Sequence, residues 1–247
     1  MKHVPSQSIS EDLLSNKNIL ITGAGSGIGR AVAKIAAKNK ANLILLSKDI
    51  KKLYSLQDEI CDDGGIDPLI VEFDFLKANE KDYKKLADSL YENYEKLDGL
   101  VHVAGVLGYL SPIINTSLNQ LKTVMQVNFE SNFLLTQLSL PLLLKANNPS
   151  IVFTSSGVGR KARAFWTSYS ISKFAVEGLM QSLADEYEKE MRVNSYNPGP
   201  TRTQMRAQAF PAEDPNTLRT PDEIAVDYLW LLSEECQETG IMYNYHE

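Results

Sequence analysis

Short apolar segments alternate with longer stretches of helical period along this 247-residue chain. The segments are apolar at nearly every position, which is typical of strands buried on both faces of a parallel sheet. The alternation predicts an α/β fold of the Rossmann type, a doubly wound seven-stranded parallel sheet with helices on both faces. The predicted strands are 18–22, 42–47, 68–73, 99–104, 150–155, 192–197 and 240–244, and the predicted helices are 27–39, 50–60, 79–95, 118–145, 168–190 and 222–235.

No linker, internal repeat or low-complexity tract interrupts this pattern, so residues 1–247 are predicted to form one domain. Residues 1–16 precede the first strand as an N-terminal extension. The least regular stretch, 199–220, carries prolines at 200, 211 and 215. A segment of this kind is either a loop over a substrate site or a long surface loop.

A glycine-rich string, TGAGSGIG at residues 22–29, connects the first strand to the first helix. Its glycines allow a tight turn, close approach of the backbone to a phosphate, and close packing of the helix on the strand. The helix that begins near Ser26 directs backbone N–H groups and the positive end of its dipole toward that phosphate. A plain tight turn is the alternative, but a dinucleotide site requires this position between a strand and an amphipathic helix. The predicted contacts are Gly23, Gly25, Ser26, Gly27, Ile28 and Gly29.

The end of the second strand indicates which dinucleotide is bound. An acidic residue there would bind the ribose 2′-hydroxyl of NAD and repel the 2′-phosphate of NADP. This strand ends in Ser47 and Lys48, and Asp49 is better placed as the N-cap of the next helix. Ser47 leaves room for a phosphate, and Lys48 carries a charge that pairs with it. The sequence therefore favours NADP(H), with NAD(H) as the alternative.

The segment YSISK places Tyr169 and Lys173 four residues apart, on one face of a predicted helix. An ammonium group beside a phenol favours the phenolate, which makes the phenol a better proton donor. The pair is therefore a candidate general acid–base device, although surface helices also show this spacing by accident.

Together these motifs resemble the short-chain dehydrogenase/reductase family. The family's TGxxxGxG, YxxxK and PGxxxT motifs all occur here in the family's order, as do its active-site asparagine and serine. Longer stretches, TSSGVGR, SKFAVEG, LADEY and AFPAEDP, are similar to a bacterial branch of the family, the YciK-type oxidoreductases. The matched positions are Thr22 to Gly29, Asn128, Ser156, Tyr169, Lys173 and Pro198 to Thr203.

The resemblance implies an active site and a role for each of its residues. Tyr169 would donate a proton to a carbonyl oxygen, and Ser156 would hydrogen-bond the same oxygen. Lys173 would lower the pKa of the tyrosine and hold the nicotinamide ribose, and Asn128 would hold a water that relays protons to Lys173. The cofactor site would further include Asp74 at the adenine, Thr203 at the nicotinamide carboxamide, and Phe75, Ala104, Gly105, Pro198, Gly199 and Thr201.

One position departs from the family. Where the family has NNAG after the fourth strand, this chain has His102-Val103-Ala104-Gly105. Ala104 and Gly105 keep the small residues that let a cofactor approach, but Val103 lacks the amide that would brace the neighbouring backbone. Either the site repacks around this apolar side chain or its order suffers.

The implied function is that of an NADP(H)-dependent oxidoreductase that interconverts a carbonyl compound and an alcohol. The alternative is a dinucleotide-binding sensor or scaffold with little turnover. A pure binding protein, however, has no need of Asn128, Ser156, Tyr169 and Lys173 together. An isomerase, an epimerase or a dehydratase is a third alternative, because one fold supports several reactions.

Basic and aromatic residues in two loops bear on the substrate. If both loops rim the cleft, the basic residues would bind an anionic substrate; otherwise they are solvated surface charges. The aromatic residues would form an apolar wall or a contact with a second subunit. The basic residues are Arg160, Lys161, Arg163, Arg202 and Arg206, and the aromatic residues are Phe165, Trp166 and Phe210.

The formal net charge of −6 argues against nucleic acid or an anionic membrane as the main partner. No apolar run reaches the roughly 20 residues of a membrane span, and the start of the chain lacks the apolar core of a signal peptide. The cysteines and histidines are scattered, which argues against a metal site and fits a cytoplasmic protein. These residues are Cys61, Cys236, His3, His102 and His246.

Helices 118–145 and 168–190 carry wide apolar faces. In the family the equivalent helices pair across a two-fold axis, so the resemblance implies a homodimer or a homotetramer formed through them.

Overall fold

Eight parallel strands form one sheet in the computed structural model, which describes residues 1–5 and 12–245. The strands are β1 (Lys2–His3), β2 (Asn18–Thr22), β3 (Asn42–Ser47), β4 (Leu69–Glu72), β5 (Gly99–His102), β6 (Ser150–Thr154), β7 (Arg192–Asn197) and β8 (Met242–Asn244). Their order across the sheet is β1-β8-β7-β6-β5-β2-β3-β4. The seven strands predicted from the sequence are all confirmed, with ends that differ by two residues or fewer.

The helices begin where side chains can cap them. Asp49, Ser117 and Thr220 each accept a hydrogen bond from a backbone N–H in the first turn of the helix that follows. Asp49 thus has the capping role that the sequence predicts. The helices are α1 (Gly27–Lys38), α2 (Ile50–Asp62), α3 (Glu80–Asn93), α4 (Leu118–Met125), α5 (Ser131–Leu143), α6 (Thr167–Glu186), α7 (Gln204–Ala209) and α8 (Pro221–Leu232).

The long helix predicted over 118–145 is not continuous. A π-helical segment, Gln126–Glu130, separates α4 from α5. A π segment adds a residue to a helical turn and rotates the faces that follow it, and such segments are frequent at functional sites. Here it contains Asn128. Apolar periodicity does not reveal a one-residue insertion, which is why the sequence predicts one helix.

Helices cover both faces of the sheet, as predicted. On β2, Ile19 and Ile21 pack into the cluster formed with α1, α2 and α8, whereas Leu20 packs into the cluster formed with α3, α5 and α6. This alternation follows from the two-residue period of a strand. All three side chains are fully buried, and each contributes about 1.5–3 kcal/mol to the free energy of unfolding.

The strand order reverses at β2, which lies between β3 and β5. Loops that leave the carboxyl ends of β2 and β5 therefore run to opposite faces of the sheet and open a crevice, where parallel α/β sheets bind their ligands. The glycine string follows β2, and Ala104 and Gly105 follow β5. The fold thus places both predicted cofactor segments at this crevice.

The predicted N-terminal extension contributes β1. It pairs in parallel with β8, with Lys2 opposite Tyr243 and His3 opposite Asn244. Two residues are too few to show a strand period, so the sequence does not reveal this pairing. The part of the extension at 6–11 lies outside the described residues.

The stretch 199–220 is more regular than predicted. It contains α7, and a bridge between Thr201 and Arg219 closes its two ends. The Arg202 amide also donates to the Arg219 carbonyl oxygen at 2.8 Å. The two ends of the stretch therefore lie side by side.

The described residues contain neither a membrane-spanning helix nor a cluster of metal-binding side chains. No helix in residues 1–5 and 12–245 has the length and apolar character needed to cross a membrane. The same residues contain no group of three or more His, Cys, Asp or Glu side chains placed to hold a metal ion. His246 lies outside them.

Candidate active site

The glycine string forms a tight turn between β2 and α1. Gly23 has a φ of +68°, and a Cβ there would lie 2.9 Å from the Ala104 Cα, so only glycine lets these two loops touch. A Cβ on Gly29 would lie 2.4 Å from the Gly23 carbonyl oxygen. The helix therefore begins directly against the turn, with its amino end at the mouth of the crevice.

The start of α1 fits a phosphate group. Within the described residues, the Ser26 side chain makes no capping hydrogen bond and the first turn carries no acidic residue. The first N–H groups of the helix thus remain available to an anion. A Cβ on Gly27 would point toward the Thr203 Cγ2 atom, 3.5 Å away, so glycine keeps open the groove between the turn and the loop after β7. These features fit the phosphates of a dinucleotide.

Ser47, Lys48 and Asp49 have the arrangement predicted for an NADP(H) site. A Cβ on Gly25 would lie 2.7 Å from the Ser47 Oγ, so Ser47 adjoins the glycine turn. Lys48 is exposed, and the Asp49 carboxylate accepts a hydrogen bond from the Lys52 amide at 3.3 Å. The site thus presents a hydroxyl and an ammonium group where an NAD site would present a carboxylate.

Thr22 holds the backbone around Val103. Its hydroxyl accepts hydrogen bonds from the Val103 amide at 2.9 Å and the Ala104 amide at 3.1 Å, and it donates to the Val101 carbonyl oxygen at 3.3 Å. The Val103 side chain packs against the hydrophobic cluster on the α1 face. The structure therefore shows the repacked alternative, in which the backbone at Val103 is braced by Thr22 and not by an asparagine amide at position 103.

Asn128 joins the loop after β5 to α6. Its Oδ1 accepts from the Val106 amide at 2.8 Å, and its Nδ2 donates to the Val106 carbonyl oxygen and to the Ser172 Oγ, both at 3.0 Å. The Ser172 hydroxyl in turn donates to the Tyr169 carbonyl oxygen at 2.8 Å. Two hydrogen bonds, with the Ser172 hydroxyl between them, thus connect Asn128 to the backbone of the candidate catalytic helix. Its side-chain bonds all go to protein groups, and the water relay stays a prediction.

Tyr169, Lys173 and Ser156 meet at the carboxyl edge of the sheet. Tyr169 and Lys173 are buried one turn apart on α6, with the lysine Nζ 5.6 Å from the centroid of the tyrosine ring. The Lys173 ammonium donates to the Thr154 carbonyl oxygen at 2.8 Å. Ser156 lies two residues beyond β6, and its hydroxyl acts on the Tyr169 phenol and lowers its pKa. Three of the four predicted catalytic residues are therefore in contact, and Asn128 is linked to them through Ser172.

Burial has the largest effect on the pKa values of Tyr169 and Lys173. It raises the pKa of Tyr169 to about 12, against the lowering effect of the Ser156 hydrogen bond. This direction is opposite to the one expected from the neighbouring ammonium, because desolvation of the phenolate has the larger effect. Burial also lowers the pKa of Lys173 to about 8, and the charge of Glu177 opposes that shift. At neutral pH the phenol therefore carries its proton and the lysine is largely charged.

Glu177 is a buried residue of the site that the sequence analysis missed. It lies one turn beyond Lys173 on α6. Its Oε1 accepts from the Ser155 Oγ at 2.5 Å and the Arg160 Nε at 3.0 Å, and its Oε2 accepts from the Ser195 Oγ at 2.6 Å. The carboxylate therefore holds the residue that precedes Ser156, and it ties α6 to β7. Its spacing of four from Lys173 was the available signal.

Arg160 points into the protein, so it is neither of the two alternatives given for it, a cation on the cleft rim or a solvated surface charge. Its guanidinium donates to the Tyr243 carbonyl oxygen at 2.9 Å and to the Asn244 Oδ1 at 2.7 Å. Asn244 also accepts from Asn197, whose Oδ1 accepts from the Gly199 amide at 3.1 Å. This chain of hydrogen bonds connects the ion pair of Arg160 and Glu177 to the loop of the PGxxxT motif.

Two further arginines of the basic loops are engaged. Arg206 forms an ion pair with Glu213, and the Arg202 Nε donates to the Pro215 carbonyl oxygen at 2.7 Å. With Arg160 buried, only Lys161 and Arg163 of the basic set lack such an ion pair or hydrogen bond among the described residues. Two of the five basic residues, Arg160 and Arg206, are therefore paired with carboxylates.

The remaining predicted cofactor residues lie on loops around the crevice. Gly199 has a φ of +67°, and Thr203 caps α7 by accepting from the Arg206 amide at 3.2 Å. Asp74 follows β4 and accepts from the Leu76 amide at 3.0 Å. The Phe75 ring is buried edge-on against Phe73, and its carbonyl oxygen accepts from the Gln126 Nε2 at 3.3 Å. Pro198 and Thr201 lie in the same loop as Gly199.

Comparisons with known proteins give one consistent result. A family model described as short chain dehydrogenase matches residues 17–214. The chain is 46% identical over 235 residues to the "Uncharacterized oxidoreductase YciK" of Escherichia coli K12, which covers 95% of this chain and 93% of that protein.

Two solved structures extend this similarity to three dimensions. A short chain dehydrogenase from Shigella flexneri 2a, complexed with NADP, has a TM-score of 0.93 at 45% identity and covers 95% of this chain and 99% of that one. A short chain dehydrogenase from Escherichia coli CFT073, complexed with NADPH, has a TM-score of 0.93 at 46% identity and covers 96% of this chain and 99% of that one.

These relatives agree with the motifs. The two structures hold NADP and NADPH, the form of the cofactor that Ser47 and Lys48 predict. The match to YciK confirms the similarity seen in the longer stretches of sequence. The chain belongs to the short-chain dehydrogenase/reductase family of oxidoreductases.

Proposed function

We propose that this protein interconverts a carbonyl compound and an alcohol with NADP(H) as the hydride carrier. The observation that carries the proposal is the contact of Tyr169 with Ser156 and Lys173 beside the crevice that the glycine turn enters. Two relatives that span nearly the whole chain are complexed with NADP and NADPH, which supports the choice of cofactor.

The chemistry needs a hydride at the carbonyl carbon and a proton at its oxygen. Bound NADPH supplies the hydride and leaves as NADP⁺, whose positive ring favours the phenolate. Tyr169 donates its phenolic proton to the oxygen, and Ser156 hydrogen-bonds that oxygen as negative charge develops. Tyr169 then recovers a proton from solvent past Lys173, with Asn128 holding the relay water. The products are the alcohol and NADP⁺, and oxidation follows the same path in reverse.

The cofactor would lie along the crevice from the glycine turn to the loop after β7. Lys173 would hold the nicotinamide ribose, Thr203 the carboxamide and Asp74 the adenine. We include 199–220 as the substrate loop, because its Thr203 and Met205 lie 3.5 Å and 3.9 Å from the positions that a Cβ on Gly27 and on Gly105 would take. The remaining contacts in the proposal are Gly23, Gly25, Ser26, Gly27, Ile28, Gly29, Ser47, Lys48, Phe75, Ala104, Gly105, Pro198, Gly199 and Thr201.

The burial of Lys173 favours turnover over a sensor or scaffold. Burial lowers its pKa to about 8, so a charged Lys173 costs stability at neutral pH. A protein that only binds a dinucleotide gains nothing from this cost. An enzyme whose proton donor must be reprotonated in every turnover does gain from a buried Lys173.

Carbonyl-dependent consumption of NADPH is the direct test of the proposed function. The purified protein would be mixed with NADPH and a panel of aldehydes and ketones, and loss of NADPH absorbance would be followed. We expect turnover with at least part of the panel. Tight binding of NADPH with no carbonyl-dependent oxidation would instead support the sensor.

NADPH is expected to bind more tightly than NADH, and Lys48→Ala is expected to weaken NADPH binding about tenfold, the value of one charge-assisted phosphate contact. NADH binding should not change, because NADH has no 2′-phosphate. Ser47→Asp should reverse the preference, since it restores the carboxylate of an NAD site. Fluorescence titrations of each variant measure these constants, with exposed Lys51→Ala as the matched control. Equal affinity of the unaltered protein for both cofactors would show this assignment to be wrong.

We further propose a homodimer or homotetramer formed through α4, α5 and α6. Phe133 on α5 and Ile171 and Phe174 on α6 each remain 45% exposed, a sizeable apolar surface on the helices expected to pair. Light scattering at micromolar concentration should give a dimeric or tetrameric mass, and Phe133→Asp with Phe174→Asp should reduce it. A monomeric mass for the unaltered chain contradicts the proposal.

The proposal keeps the cytoplasmic location. Cys61 and Cys236 are free thiols, as expected in a reducing compartment. Recovery of the protein from a secreted fraction would contradict this location.

A further inference from the structure

An aromatic wall stands beside the candidate proton donor. The ring of Trp166 lies edge-on to that of Tyr169, with centroids 6.0 Å apart, and its centroid is 5.8 Å from that of Phe210. Trp166 precedes α6, whereas Phe210 follows α7, so two separate segments supply the wall. Neither Trp166 nor Phe210 is fully buried. Partly exposed apolar surface therefore lies next to the ring of the candidate proton donor.

The charges around this wall do not make it an anion site. The Arg206 guanidinium lies 3.9 Å from the Phe210 centroid, but its charge is paired with that of Glu213. Arg163 lies 5.6 Å from the same centroid and is exposed, so water and salt screen it. A carboxylate or phosphate placed against the wall would lose water molecules of hydration, and no desolvated cation of the wall would compensate for that loss.

A second group of exposed apolar side chains lies on Phe165 and on the loop after β5, which is hydrogen-bonded to Phe165. The Ser111 amide donates to the Phe165 carbonyl oxygen at 3.0 Å, which holds the loop after β5 against the residue that precedes Trp166. Phe165 has a φ of +72°, which is unfavourable for a bulky side chain, and its side chain is exposed. On the loop, Tyr109 and Ile114 are 76% and 88% exposed. Exposed apolar surface next to a site is typical of a ligand contact.

We propose that the site takes a neutral carbonyl compound that bears a flat apolar group, such as an aryl aldehyde or an aryl ketone. The ring lies against Trp166 and Phe210, where offset or edge-to-face aromatic contacts are favourable. The carbonyl oxygen then reaches Tyr169 and Ser156. The reaction step rests on the proposed function, whereas the aromatic subsite stands on the wall itself.

Paired substrates test the subsite by turnover. With NADPH, kcat/KM for benzaldehyde should exceed that for glyceraldehyde by about a hundredfold, and Trp166→Ala or Phe210→Ala should each reduce this ratio at least about tenfold. The Kd of NADPH should change less than about twofold, because no cofactor contact is assigned to the wall. Trp166→Phe is the matched control, since it keeps a ring at the position and should retain most of the preference.

A binding experiment separates this inference from the proposed function. Benzamide has the flat ring and the carbonyl but is not reduced, so calorimetry can measure its binding to the NADPH-saturated protein. Benzamide binding that weakens about tenfold in Trp166→Ala supports the subsite even if no carbonyl compound is turned over. A preference for glyceraldehyde, or an unchanged ratio and unchanged benzamide affinity in both alanine variants, overturns the inference. Absence of both turnover and benzamide binding also overturns it.

Discussion

Tyr169→Phe is expected to lower kcat for carbonyl reduction by about 10²–10⁴-fold, the usual contribution of a positioned general acid. The substitution removes the hydroxyl that contacts Ser156 and keeps the ring that packs against Trp166. Burial raises the pKa of this phenol to about 12, so in the unaltered protein the hydroxyl holds its proton ready for donation throughout the neutral range. The Kd of NADPH should change less than about twofold, because the lost atom serves the reaction more than the binding.

A second buried tyrosine gives a matched control. The Tyr228 hydroxyl hydrogen-bonds the Thr154 side chain at 2.7 Å, on the residue whose carbonyl oxygen holds Lys173. Tyr228→Phe should reduce the free energy of unfolding by about 1 kcal/mol, the net value of one hydrogen bond, and leave kcat within about threefold. Stopped-flow and steady-state rates with a reducible aldehyde measure both variants. If Tyr169→Phe retains kcat, or if both variants lose it equally, Tyr169 is not the proton donor.

Local patterns were sufficient to predict most of the fold. Continuous apolar runs such as Ile19 to Ile21 occur because β2 is covered on both faces, and this burial is what the pattern reflects. The glycine turn and Asp49 are also local, since each acts within a few residues of its own position. The topological switch then follows from the strand order, and it brings Gly23 against Ala104.

The features that were missed depend on contacts between distant segments. Lys2 pairs with Tyr243 across the sheet edge, and nothing in the first residues signals that partner. Arg160 resembled a surface cation, because a side chain's charge does not indicate the direction in which it points. Its direction depends on Glu177 and on β8, which reaches the same place from the other end of the chain. The π segment at Asn128 was hidden for a different reason, since one inserted residue barely changes a helical pattern.

Glu177→Ala is expected to lower the free energy of unfolding by about 3–5 kcal/mol, the cost of leaving a buried charge without its partner. Arg160 and Glu177 have side chains only 8% and 5% exposed. Loss of the carboxylate leaves the Arg160 guanidinium in the interior and the hydroxyls of Ser155 and Ser195 without their acceptor. Chemical denaturation measures the change. Glu186→Ala, at the exposed end of the same helix, should change stability by no more than about 0.5 kcal/mol.

The pH dependence of Glu177→Gln separates its charge from its packing. The pKa of Lys173 is lowered from 10.5 to about 8 in the folded protein, so between these values the unfolded chain binds the extra proton and the free energy of unfolding rises with pH. Glu177 raises the pKa of Lys173, so in Glu177→Gln the rise of the free energy of unfolding with pH should begin at a lower pH. The stability of Glu177→Gln relative to the unaltered protein should be lowest below the pKa that Lys173 has in the unaltered protein, about 8. The other charged or titratable neighbours of Lys173, His102 on β5 and Tyr169 on α6, are present in both proteins.

Removal of both charges in Arg160→Gln with Glu177→Gln should recover part of the stability lost in Glu177→Gln, since no unpaired guanidinium remains. Parallel curves of stability against pH for Glu177→Gln and the unaltered protein would mean that Glu177 supports the site by packing alone, without acting on Lys173.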